Sequence, residues 1–118
     1  MQSNLDVYGL AMANDKLQGA LDLLVLKVLA RGPEHGYGIT VRVKQFSEEA
    51  LQVEEGSLYP ALHRMEQAAW ISAEWKPSEN NRRAKYYRLT AKGRKRLGEE
   101  HANWTRVTEA VAKVLRFA

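Results

Sequence analysis

From Leu17 onward, apolar residues recur at three- and four-residue steps, at Leu17, Leu21, Leu24, Val25, Val28 and Leu29, the spacing that aligns one face of a helix. Gly32 and Pro33 end that helix. A Gly36-Tyr37-Gly38 turn opens a second helical stretch in which Ile39, Val43 and Phe46 face inward and Arg42, Lys44 and Gln45 outward. Leu51-Gln52-Val53 alternates and is expected to form a brief strand, followed by a third helix from Gly56 to Ala69 with Leu58, Leu62, Met65 and Ala69 toward the core. Ile71–Lys76 and Ala84–Leu89 have the alternation and aromatic content of strands, and the turn-rich Pro77–Arg83 between them predicts a hairpin. Thr90 is a good helix N-cap, and Ala91 to Phe117 then reads as one long helix despite Gly93 and Gly98. Before Leu17 the few apolar positions and the lack of a cap predict only an N-terminal arm or short helix.

Helix, helix, short strand, helix, strand, basic loop, strand is the order of a winged helix-turn-helix, whose third helix enters the major groove of DNA. The expected fold is therefore α+β and mainly α. Residues 1–16 form the arm, 17–89 the winged-helix DNA-binding domain, and 90–118 a long C-terminal dimerisation helix. In that last helix Leu97, Trp104 and Val111 stand seven apart, with Val107 and Val114 three residues after Trp104 and Val111, which approaches a heptad seam. At 1.5 Å per residue the helix is roughly 40 Å long and overhangs so small a core. Its apolar stripe predicts a homodimer, because the stripe would otherwise face water.

Composition narrows this picture mainly by exclusion. A chain of 118 residues, 45% hydrophobic and 27% charged, is expected to bury one modest core. It has no cysteine, which removes disulfides, thiolate nucleophiles and cysteine-ligated metal sites. The longest apolar stretch, Leu21 to Ala30, carries Asp22 and Lys27 and is too short to span the ~30 Å hydrocarbon core of a bilayer. Asn4, Asp6 and Asn14 break up any secretory signal, so the protein is expected to be cytoplasmic and without a membrane partner. The net charge of +4 says little, but nine of the eighteen Lys and Arg residues lie between Lys76 and Arg96, with Glu79 the single acid among them.

On the third helix, burial of Leu58, Leu62 and Met65 puts Pro60, His63 and Gln67 on the opposite side, with Ser57, Tyr59 and Arg64 on the flanks. Arg64 has the donor pair to read a guanine, and the hydroxyls of Ser57 and Tyr59 suit phosphate oxygens. At the hairpin tip Arg82 and Arg83 follow Asn80-Asn81 and can lie along a DNA backbone or enter a minor groove. Lys85 and Arg88 point to opposite faces of their strand, so one of them serves DNA. An enzyme is the rival class, since Ser57 with His63 or His35 suggests a hydrolase; Ser57 and His63 share one helix. Six residues apart on a helix, they point about 120° away from each other, and no Gly-x-Ser-x-Gly elbow is present. His35, His63 and His101 lack the spacing of a metal site, and nothing calls for a cofactor. A winged helix that binds protein instead of DNA is the second rival, disfavoured by the Arg82, Arg83 and Lys85 cluster.

Three stretches then match a known pattern: His35–Ile39, Gly56–Glu66 and Asn81–Gly93. Through them the chain, from about Leu17 to Leu115, closely resembles the PadR family of bacterial transcriptional repressors in its compact form with one C-terminal helix. The resemblance implies a homodimer that sets two recognition helices about one DNA turn apart on a palindromic operator, with repression relieved in some members by a small effector. It implies DNA contacts from Tyr37, Ser57, Tyr59, Pro60, His63, Arg64, Asn81, Arg82, Arg83 and Lys85. The dimer interface would comprise Leu97, Trp104, Val107, Val111 and Val114. Trp104 falls where similar proteins place a tryptophan at the dimer centre; it reads first as a buried anchor and second as a platform for a flat aromatic effector. Where the family more often has Ser or Thr followed by Pro, this chain has Glu54-Glu55.

Overall fold

The computed structural model describes residues 19–117, so the arm expected over residues 1–16 lies outside the described residues. A first helix, α1, is described over 19–30. It is followed by β1 (Glu34–His35), α2 (Gly36–Phe46), α3 (Glu55–Gln67), β2 (Ile71–Pro77), β3 (Arg83–Leu89) and α4 (Ala91–Phe117). The predicted helices and the hairpin are all present, within two residues of their expected ends over the described chain except at the start of α2, where the expected Gly36-Tyr37-Gly38 turn is the first turn of the helix.

The expected strand at Leu51–Val53 is absent; those residues carry no regular structure. The third strand of the sheet is Glu34–His35, which pairs antiparallel with β3 through Glu34↔Tyr87 and His35↔Tyr86. Its brevity hid it, because two residues cannot show alternation. The sheet order is β1-β3-β2, and the hairpin register runs from Ile71↔Leu89 to Pro77↔Arg83. Asn81 takes a positive φ of 62° in the turn, a conformation that asparagine tolerates better than most residues.

The core lies where α1, α2 and α3 meet the inner face of the hairpin. Val25, Leu26, Ile39, Leu58, Leu62, Met65 and Ile71 are fully enclosed, and Tyr87 closes the sheet side. Two expected core positions differ. Ala69 is exposed because the chain leaves α3 there with a φ of 65°, and Phe46 is half-exposed with the Arg31 guanidinium stacked 4.8 Å above its ring.

Thr90 joins the wing to the last helix. Its hydroxyl accepts from Gly93 N at 3.0 Å, as an N-cap does, and faces the carbonyls of Ala69 and Trp70 at 2.7 and 2.9 Å. The first turn of α4 thereby lies directly on the Trp70 backbone, and Gly93 is the residue that allows it, since a Cβ there would collide with the Trp70 carbonyl. Leu97 still packs against the core, whereas beyond Glu100 the helix runs out into solvent and only Val107 is half-covered. The radius of gyration, 16.1 Å, records that overhang; a compact domain of this size would have about 13 Å.

Candidate nucleic-acid interface

The outer face of α3 follows from its inner one. With Leu58, Ala61, Leu62 and Met65 buried, Ser57, Tyr59, Pro60, His63 and Gln67 stand exposed on the other side. The helix opens at Glu54, whose backbone carbonyl receives the amides of Ser57 and Leu58, but whose carboxylate makes no capping bond. Glu54 and Glu55 are both exposed there, favoured by the helix N-terminal partial charge. Pro60 has no amide to give the Gly56 carbonyl, a loss tolerated on this solvent-facing side.

Arg64, expected to read a guanine, is paired within the protein. Its two terminal nitrogens donate to the two carboxylate oxygens of Asp22 on α1 at 2.9 and 2.8 Å. The bidentate pair, hydrogen bonding first, raises the guanidinium pKa above its ordinary value. The Nη1–Nη2 end of the guanidinium is thus committed to Asp22, the buried charged residue of the core. Lys85 is also engaged: Nζ lies 3.2 Å from the Glu66 carboxylate on α3 and 5.6 Å from the Tyr87 ring. It ties the wing to α3, on the inner face of the strand, while Arg88 points outward and is exposed.

Between α2, α3 and the wing runs an open groove of about 900 Å³. Tyr37 and Val41 stand on the α2 wall, Tyr59 on the α3 side, and Trp75, Asn80, Arg82 and Arg83 on the wing side. The groove is lined on α2 and β1 by residues locked into a local network. His35 Nδ1 accepts from Gly38 N at 2.9 Å and caps α2, and Glu34 holds Arg42 at 3.2 Å. Gly38 lacks the Cβ that would strike the Glu34 carboxylate, and Gly36 lacks the one that would strike the Tyr59 phenol. The start of α2 is thereby already capped by its own side chains, which leaves Tyr37 exposed beside it.

Arg82 and Arg83 are exposed and form no ion pair among the described residues, in contrast to Arg42, Arg64 and Lys85. Of the residues singled out in the sequence, the structure groups Tyr37, Tyr59, Arg82, Arg83 and Lys85 around one groove; Ser57, Pro60 and His63 share the exposed face of α3. Trp75 also lines the groove, although the sequence singles it out only as part of a strand. Its signal was the alternation Ile71, Ala73, Trp75, which puts an indole on the inward face.

Residues 25–99, more than half of the chain, match the model of the transcriptional regulator PadR-like family. The chain belongs to the PadR-like family. As a PadR-like transcriptional regulator it is a DNA-binding protein and not an enzyme. It is similar to a transcriptional regulator from Clostridium thermocellum, with 27% identity, 84% of this chain and 96% of the other covered, and a TM-score of 0.75. A PadR family regulator from Eggerthella lenta is 30% identical over 98% of this chain and 97% of its own, with a TM-score of 0.69. Protein X of Lysinibacillus sphaericus is 28% identical over 98 residues, which is 83% of this chain and 90% of that protein. A 37.1 kDa protein of a Streptomyces fradiae transposon shares 37% identity over 89 residues, 75% of this PadR-like chain but 24% of that longer protein.

In the winged-helix frame, α3 occupies the recognition-helix position and the β2–β3 hairpin the position of the wing. Among the described residues no group of His, Asp and Glu is arranged to hold a metal ion, and no helix is long and apolar enough to cross a membrane.

Proposed function

We propose that this PadR-like protein acts in the cytoplasm as a repressor, in the form of a homodimer on a palindromic operator. The observation that carries the DNA-facing half of this reading is the free cationic pair Arg82 and Arg83, at the tip of a wing beside the exposed face of α3. In this reading Ser57, Tyr59, Pro60 and His63 face the major groove, and Tyr37, Asn81, Arg82 and Arg83 hold the backbone. Lys85 joins them by exchanging Glu66 for a phosphate. Arg64 is assigned instead to holding the recognition helix on α1.

The dimer is supported by α4. Trp104, Val111, Val114 and Leu115 leave large apolar surface open along the solvent-facing part of the helix, and Val107 lies among them. Packing two such stripes together would remove that surface from water. Leu97 belongs to the edge of this interface, since its side chain already rests on its own core. Trp104 serves as the central anchor; a flat aromatic effector that relieves repression would rest on the same indole.

Selection from a random DNA pool tests the reading. It should enrich an inverted repeat with half-sites about one helical turn apart. Binding of the selected duplex should weaken steeply as salt rises, because several phosphates exchange counterions for cationic side chains. No enrichment, together with no binding in low salt, would overturn the proposal.

A further inference from the structure

The inward face of β2 carries an apolar row that is longer than the core beneath it. Ile71, Ala73 and Trp75 alternate along the strand and share that face. Ile71 is 1% exposed within the core and Ala73 packs against its edge, but Trp75 is 56% exposed. The row therefore ends with an indole more than half of which is left uncovered. Trp75 faces Lys85 across the hairpin and lines the groove together with Tyr59 and Arg83. Trp70 lies under the Arg96 guanidinium at 4.7 Å, whereas Trp75 has no such stacking partner among the described residues.

A large ring on the inward face of a wing needs an occupant of the groove to cover it. The cations beside it indicate which one. Arg82 and Arg83 are free and outnumber Glu79 on the wing side, while Lys85 is paired with Glu66, so this side of the groove keeps a net positive charge that is attractive to a polyanion and unfavourable for a basic or purely apolar partner.

We infer that Trp75 is a DNA-contact residue of the wing. Its indole lies against the deoxyribose of the strand whose phosphates Arg82 and Arg83 neutralise, and its ring N–H faces a phosphate oxygen. The inference rests on the DNA-binding role proposed for the wing. The contact reads no base, so it acts on every sequence alike. Covering about half of an exposed indole corresponds to roughly tenfold in affinity. Because the ring is uncharged, that gain is independent of counterion release.

A random-sequence duplex therefore suffices as the probe, titrated at several salt concentrations against wild type, Trp75→Ala and Trp75→Phe. The expected result is binding about tenfold weaker for Trp75→Ala with an unchanged slope of log affinity against log salt. DNA should also change the tryptophan emission of the wild type, and that change should be lost in Trp75→Phe, which retains Trp70 and Trp104. Thermal melting of both variants should match wild type, since the exposed ring holds little of the core. Wild-type affinity in Trp75→Ala with a full emission response in Trp75→Phe would overturn the inference. A loss of affinity accompanied by a shallower salt slope would overturn it as well, by assigning the effect to a displaced Arg83. A wild-type protein that bound no duplex at all would remove the proposed role of the wing itself.

Discussion

Arg64 on the recognition helix and Asp22 on α1 face each other fork to fork, with both guanidinium nitrogens within 2.9 Å of the two carboxylate oxygens. The carboxylate side chain is 7% exposed and the arginine 38%, so the pair spans from the core to its edge. It fixes the rotation of α3 about its axis relative to α1, and so the direction in which Ser57, Tyr59 and His63 point.

Removing the arginine strands a buried carboxylate. Arg64→Ala should destabilise the fold by about 2–3 kcal/mol, below the range for a fully enclosed pair because Arg64 keeps contact with water. Urea unfolding measures this. A double variant, Asp22→Leu with Arg64→Met, should recover most of the loss. The double variant, in which α3 is again held on α1, should bind DNA with unchanged base preference, whereas a relaxed preference there would return Arg64 to the bases.

Replacing Arg82 and Arg83 together with alanine should weaken binding to all DNA sequences. Each lost phosphate contact lowers the salt slope by about 0.9. An unchanged slope in a filter-binding titration would mean that the wing tip does not touch the backbone.

In the proposed dimer, Trp104→Asp would place a carboxylate from each protomer at an apolar seam. Sedimentation should then find monomer at concentrations where wild type is dimeric, with the melting of the winged-helix part little changed, because Trp104 lies beyond the core. An intact dimer would remove Trp104 from the interface.

Gly93→Ala should cost about 1–3 kcal/mol, a typical overpacking penalty. The added methyl meets a backbone carbonyl of Trp70, which cannot turn aside as a side chain can. Thermal unfolding checks this against Gly98→Ala, where a Cβ meets nothing and the gain in helix propensity should instead stabilise by about 0.5–1 kcal/mol.

Tyr87 gives the fold an alkaline limit. Burial, the leading cause, pushes its phenol pKa above the ordinary 10.0. The folded state therefore holds the phenolic proton more tightly than the unfolded chain does. Its contribution is complete below pH 10 and is lost as pH rises through the higher folded value. Unfolding followed from pH 8 upward should show a steeper decline for wild type than for Tyr87→Phe, which has no proton to lose.

Much of this was legible along the chain because helix and strand faces repeat with fixed periods. The helical stretches, the hairpin and the long last helix all follow from residues within a few positions of one another. The cationic loop at Arg82-Arg83 and the three motif stretches that carry the family resemblance are equally local. The strand Glu34–His35 was not legible. It exists through its pairing with Tyr87 and Tyr86, some fifty residues away. The exposure of Trp75 was not legible either, because alternation does not reveal where the core beneath a strand face ends.

The sequence by itself determined which elements form, which sides of them are apolar, and that the chain is a PadR-like regulator. Only the tertiary structure decided how the charged side chains are spent, with Arg64 on Asp22, Lys85 on Glu66, and Arg82 and Arg83 left free. It also separated Leu97, which touches its own core, from Trp104, Val111 and Val114, which do not. The physical reason is range. Periodicity records which way a side chain points within its own element, whereas its partner is set by which two elements meet, and Asp22 and Arg64 are 42 residues apart.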